Sequence, residues 1–279
     1  MFHIENMTPK DFEFAVRLSN TMNWEATKED FEFITNLEPN GCFVLYHDSE
    51  RIGIATTISF GQVGWLGNVI IRENHRGKGG GSLIVRKAMD YLTNVGVKTI
   101  GLYSYIDRIS FYTRLGFKFD SKFIVMKGDA FFEPVEFPFK PVSKDDWPAI
   151  ECLDRKCFGG SRSKLLELIL SDRSNICYVY TNDKKLLGYA VAKVSNETSE
   201  IGPMVCQREH TNAALNLISK LLGNLKRREV SLCLPEKETE IRNFLMQHGF
   251  REQLVLARMF YGAPIVNDFV YVAESLERG

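Results

Sequence analysis

Across positions 1–130 the apolar side chains switch repeatedly between a helical and a strand period, which predicts an α/β fold. Phe2-His3-Ile4 opens as a short strand. Thr8-Pro9-Lys10-Asp11 combines a hydroxyl cap, a proline at the first helical position and an acid in the first turn, and Phe12, Ala15, Val16 and Ser19 then share one helix face. After a break at Met22-Asn23-Trp24, Thr27 caps a second helix that buries Phe31, Ile34 and Leu37. Apolar runs at 42–46 and 51–60 predict a hairpin, and 65–71 a further strand. Ile84, Ala88, Leu92 and Val95 keep helical phase over 83–94, and Gly96 ends that helix. A strand over 98–103, a short helix over 108–115 and a strand over 122–126 complete the series.

The pattern then recurs. The stretch 131–142 holds three prolines and predicts a linker. Ser143-Lys144-Asp145-Asp146 starts a helix as Thr8 does, and its offset from Thr8 equals that of Gly188 from Gly53. Gly249-Phe250 repeats Gly116-Phe117 at almost the same interval. Three landmarks at nearly one offset predict a tandem duplication, with units over 1–130 and 143–279.

Composition narrows what such a chain does. With 279 residues, 44% hydrophobic and 12% aromatic, it has material for two cores. Lysine plus arginine equals aspartate plus glutamate at 35 each, so no long-range field favours nucleic acid or an anionic membrane as a partner. No apolar run approaches the ~20 residues of a membrane span, and the first residues do not read as a signal peptide. The six cysteines form no Cys-x-x-Cys pair, and neither they nor the five histidines have metal-ligand spacing. The expectation is a cytoplasmic protein with reduced thiols and no structural metal.

The chemistry concentrates at Arg76-Gly77-Lys78-Gly79-Gly80-Gly81-Ser82, between a strand and a helix. Four glycines in five positions leave backbone N–H groups free to converge, and the positive end of the following helix adds to a seat for phosphate. Lys78 precedes the triple glycine, which excludes a Walker loop, and Ser82 stands where a dinucleotide fingerprint needs its last glycine.

The stretch does fit Arg/Gln-x-x-Gly-x-Gly/Ala and resembles the pyrophosphate loop of the GNAT N-acetyltransferases. Further points of similarity are Met7-Thr8-Pro9-Lys10-Asp11, Trp24 with the acidic helix after it, Gly53, and Phe111-Tyr112-Thr113-Arg114-Leu115-Gly116-Phe117. The resemblance implies two tandem GNAT-like domains, each a mixed, mostly antiparallel sheet flanked by helices. The second is degenerate: where the glycine loop would recur stands Cys206-Gln207-Arg208-Glu209-His210-Thr211, and Leu245 replaces Tyr112.

For the first domain, the resemblance implies acetyl-CoA with its pantetheine along Val69, Ile70 and Ile71 and its pyrophosphate on Arg76, Gly77, Lys78, Gly79, Gly80, Gly81 and Ser82. Tyr112 aligns with the residue that protonates the departing thiolate, a transfer uphill by roughly 2 kcal/mol for an ordinary phenol. Tyr105 takes the place of a cofactor-binding asparagine, and Trp24 and Tyr103 are candidates to line the acceptor pocket. Strand 65–71 has no carboxylate, so the general base is unassigned, and His75 is expected to be solvated. The expected activity is transfer of an acetyl group to a primary amine, first of a small molecule. The alternatives are a protein lysine or N-terminus as acceptor, or an acyl-CoA-binding regulator without turnover.

Overall fold

The computed structural model describes residues 1–129, 139–183, 185–195, 198–225, 228–266 and 268–279. In chain order the first half runs β1 (Phe2–Asn6), α1 (Phe12–Asn20), α2 (Lys28–Leu37), β2 (Cys42–His47), β3 (Glu50–Phe60), β4 (Val63–Ile71), α3 (Gly80–Asn94), β5 (Thr99–Tyr105), α4 (Ile109–Thr113) and β6 (Lys118–Asp129). The second half repeats that series as β7 (Phe139–Pro141), α5 (Trp147–Phe158), α6 (Ser163–Ser171), β8 (Ile176–Asn182), β9 (Lys185–Val194), β10 (Thr198–Gln207), α7 (Thr211–Asn224), β11 (Glu229–Pro235), α8 (Thr239–Gln247) and β12 (Arg251–Tyr261). One extra strand, β13 (Phe269–Val272), follows. Most of the expected linker, 131–138, lies outside the described residues.

The predicted helix starts have their physical basis in the side chains. Thr8, Thr27 and Ser143 each form a capping box with an aspartate three residues on, satisfying N–H groups that the helix leaves free. Several boundaries differ from the sequence reading, with β6 running over Lys118–Asp129 rather than 122–126, and one of them shapes the site. Helix α3 begins at Gly80 rather than 83, because Gly79 adopts φ +89° and turns the chain directly into the helix. Gly80, Gly81 and Ser82 are therefore the first helical turn.

All strands join one sheet in the order β1-β2-β3-β4-β5-β12-β6-β11-β10-β9-β8-β7, with β13 paired to β10. Each half lends a strand to the other. β12 lies antiparallel between β5 and β6, and β6 in turn pairs with β11. Helices cover both faces. Under α3 and α4, Ile84, Leu92, Tyr112 and Phe117 pack with Leu66 and Ile100. Under α7 and α8, Leu217, Leu221, Ile241 and Leu245 pack with Met126 and Leu232. The opposite face carries one core shared by both halves, with Phe31, Trp65, Phe158, Leu165, Tyr189 and Val205.

Candidate active site

β4 and β5 run parallel only from Val63↔Thr99 to Trp65↔Gly101. Beyond that point they separate, and the gap between them opens toward the start of α3. A bulge interrupts β4 inside the gap: Ile54 pairs with Ile70 and Thr56 with Gly67, so Asn68 and Val69 oppose Ala55 alone. A bulge leaves its extra residue out of the ladder, which frees backbone polar groups to face the gap. Asn68 takes φ +50°, a conformation that asparagine tolerates, and its side-chain amide donates to the Thr56 hydroxyl at 3.1 Å. The bulge is thus braced from β3.

At the end of β4 lies the glycine turn. Gly77 and Gly79 have φ +76° and +89°, and no atom lies within 4 Å of where a Cβ would stand on either. The space in front of the turn is open, while the free N–H groups of the first helical turn point along the α3 axis toward it. Gly80 is glycine for another reason: a Cβ there would approach Leu45 Cδ2 to 2.9 Å. Lys78 is exposed at the rim. The Arg76 guanidinium has a second task, since its Nε donates to the Ile71 carbonyl at 2.9 Å and ties the turn to the end of β4. His75 is buried at 9% exposure rather than solvated, with Nε2 3.5 Å from Glu50 and its ring edge-on to His47. The short turn at 73–75 folds it inward beneath the loop.

The aromatic candidates separate into three places. Trp24, between α1 and α2, donates its indole N–H to the Tyr105 hydroxyl at 2.8 Å, so the two bridge the cleft. Tyr103 lies deeper, packed on Trp65 and Phe123 at 5.0 and 4.9 Å between ring centres. Its buried hydroxyl has no hydrogen-bond partner among the described residues. Tyr112 sits on α4, on the α3 side of the sheet, between Phe111 and Phe117. Burial pushes its phenol well above the ordinary value, and nearby Arg108 offsets this only in part. The ring of Phe111 reaches the start of α3, 3.5 Å from where a Cβ on Gly81 would be. This contact ties α4 to the glycine turn.

The corresponding region of the second half is built differently. Arg208 places both terminal nitrogens on Glu238, at 2.7 and 2.6 Å, and also donates to the Phe269 carbonyl at 2.6 Å. Its charge is committed internally. Leu245, in the place of Tyr112, is fully buried in α8. The gap itself is filled. β10 pairs with β11 from Thr198↔Glu229 to Ile201↔Leu232, and then with β13 from Met204↔Val272 to Gln207↔Phe269. Ala273 continues the filling by donating its N–H to the Cys233 carbonyl at 2.8 Å. Side-chain patterning alone does not reveal this arrangement, because a short apolar run carries no sign of its partner.

Comparison with known proteins agrees with the repeated architecture. A model of the acetyltransferase (GNAT) family matches residues 9–117, and a model described as an acetyltransferase (GNAT) domain matches 150–270. The uncharacterized N-acetyltransferase YitH of Bacillus subtilis is 25% identical over 138 residues, a stretch that spans 49% of this chain and 48% of that protein. Among solved structures, a putative acetyltransferase from Pyrococcus horikoshii superposes with a TM-score of 0.81 at 20% identity, covering 100% of this chain and 96% of that one. A tandem GNAT protein from the clavulanic acid biosynthesis pathway superposes with a TM-score of 0.64 at 12% identity, covering 96% and 100%. At these identities the two structures speak to the fold.

Proposed function

Because the chain belongs to the GNAT acetyltransferase family, with two such domains in tandem, we propose that it is an acetyl-CoA-dependent N-acetyltransferase with one working site in its first half. The observation that carries the reading is the open gap between β4 and β5, bulged at Asn68 and running into a glycine-opened helix. The free edge of β4 at Val69, Ile70 and Ile71 can hydrogen-bond an extended amide chain as a neighbouring strand would. The N–H groups of 80–82 at the α3 start suit a pyrophosphate, with Lys78 at the rim and Arg76 holding the turn in shape.

Direct acyl transfer needs the reactants aligned, the carbonyl oxygen's developing charge stabilised, and the thiolate neutralised as it leaves. Backbone N–H groups released by the bulge are suited to the second task, and Tyr112 to the third. Burial raises the Tyr112 phenol, which makes complete proton transfer to the thiolate steeper than for an exposed tyrosine. Its contribution is then chiefly a strong hydrogen bond to the sulfur as charge appears there. The Trp24–Tyr105 bridge narrows the entrance and favours a small primary amine over a polypeptide acceptor. A reducing cytoplasmic setting fits the six free cysteines, and no helix among the described residues is long and apolar enough to cross a membrane.

Titration with acetyl-CoA, together with thiol release in the presence of small amines, tests this reading. Saturable binding and amine-dependent release are expected. Gly79→Ala, which places a Cβ at φ +89° on the seat, should weaken acetyl-CoA binding by about tenfold or more. Binding without release for any amine would leave a regulator rather than an enzyme.

A further inference from the structure

The strand that fills the second half's gap does not end its course there. After β13, residues 273–279 cross the shared face of the sheet to the first half's open gap, and each contact along the way is close. Gly202 on β10 and Gly67 on β4 are equivalent positions of the two halves, separated by the same interval as Gly188 and Gly53. A Cβ on Gly202 would lie 2.0 Å from the Ala273 carbonyl oxygen, and a Cβ on Gly67 would lie 2.5 Å from that of Glu277. One short segment therefore lies on both positions, and at each only glycine admits its backbone.

The segment is anchored by specific bonds. The Trp65 indole donates to the Leu276 carbonyl at 3.3 Å, and buried Arg162 donates to an oxygen of Gly279 at 2.6 Å. Arg278 reaches buried Glu274 at 2.9 Å and lies over the Phe33 ring of α2 at 5.2 Å. Glu274 is fully enclosed. Burial alone would raise its carboxyl, but the charges of Arg278 and Lys193 hold it well below the usual range. Glu277 differs from Glu274 in being accessible, with 29% of its side chain exposed and a 2.6 Å contact to Arg278. Its main chain touches Gly67, the residue immediately before the Asn68 bulge, on the face opposite α3. Glu200 on β10, near enough to feel the Glu277 charge, is one-third exposed and paired with Lys193 at 2.8 Å.

We propose that Glu277 supplies the carboxylate missing from β4, meeting the protonated acceptor amine beside the bulge and taking its proton. The assignment rests on the acetyltransferase reading above. In this step the ammonium N–H bond breaks and the proton passes to the Glu277 carboxylate, then to water. The freed nitrogen lone pair forms the C–N bond to the acetyl carbon as the C–S bond breaks. The sulfur, hydrogen-bonded by the Tyr112 hydroxyl as charge builds on it, takes up the proton that nitrogen loses as the amide forms. The net products are the amide, CoA thiol and one proton released to solvent. Accordingly, the acceptor class is an alkyl amine that arrives charged. The exposed part of the Glu277 carboxylate is what attracts it.

Glu277→Gln tests the assignment against two kinds of amine. An alkyl amine is protonated at neutral pH and needs a proton acceptor, whereas an aryl amine is already neutral. The variant should lose about 100-fold in kcat/KM for alkyl amines, mostly in kcat, and less than about threefold for an aryl amine. Acetyl-CoA affinity should stay within twofold, which also reports that the fold is intact, and Glu277→Asp should recover part of the alkyl-amine rate. Equal losses for both amines, or no loss for either, would overturn the role of Glu277 while leaving the acetyltransferase reading standing. A wild-type protein that binds acetyl-CoA but acetylates neither amine overturns both.

Discussion

At the scale of single residues, the site depends on what burial does to ordinary side chains. Tyr112 is a phenol in an apolar setting, so its neutral form persists to higher pH than that of a free tyrosine. In the proposed reaction the neutral form is the donor. Raising its titration point therefore keeps the donor competent up to and past pH 10, and competence is lost only when the pH exceeds the shifted value. We expect Tyr112→Phe to lower kcat at least about tenfold with little change in acetyl-CoA affinity. We also expect wild-type kcat to show no descending limb from ionisation of this phenol between pH 7 and 10. Rates measured across that range for both proteins decide the matter, and a limb near pH 10 present only in the wild type would contradict the burial argument. His75 teaches a related lesson. Its neighbours in the chain are polar, yet the turn places it at the base of the loop beside His47, where Glu50 meets it.

At the scale of elements, much of the chain was legible because local chemistry dictates it. Helix starts follow from Thr8, Thr27 and Ser143, whose hydroxyls and following aspartates close capping boxes. The open turn between β4 and α3 follows from Gly77 and Gly79, whose φ of +76° and +89° favours glycine. What the sequence hid is pairing over long distances. The stretch 251–261 holds an apolar run from Leu254 to Ala257, but nothing in it indicates that Leu256 lies beside Tyr105 on one side and Phe123 on the other. Likewise β13 is short, and its place in the second gap depends on β10 and β11 having already diverged. Glu277 stays hidden for the same reason, since the glycine it touches, Gly67, belongs to the other half of the chain. These pairings make a quantitative statement about binding. With β13 closing one gap and Arg208 committed to Glu238, calorimetric titration should give one acetyl-CoA per chain. Two equivalents would mean that β13 leaves its place in solution.

At the scale of the whole molecule, duplication has not produced two independent bodies. The centre of the sheet is the β12–β6 pair, with each strand seated against the other half's β5 or β11. Pulling the halves apart would expose the edges of four strands at once, each with unpaired N–H and C=O groups. It would also divide the core shared on the opposite face, where Phe60 of β3 meets Phe158 of α5 at 5.3 Å. Within this core, Asp154 and Arg162 form a fully buried pair at 2.6 Å, and Tyr189 adds a 2.5 Å bond to the same carboxylate. Removing one member strands the other charge, which costs about 3–5 kcal/mol. If the exchange of strands couples the halves, that local loss cannot remain local. Scanning calorimetry of the wild type should give a single transition whose calorimetric and van't Hoff enthalpies agree, and Asp154→Ala should move the whole of it to lower temperature. Near-UV signals from the three tryptophans, two in the first half and Trp147 in the second, should shift together. Two transitions, with only the later half displaced by the substitution, would show instead that each half holds its shape without the strand it borrows.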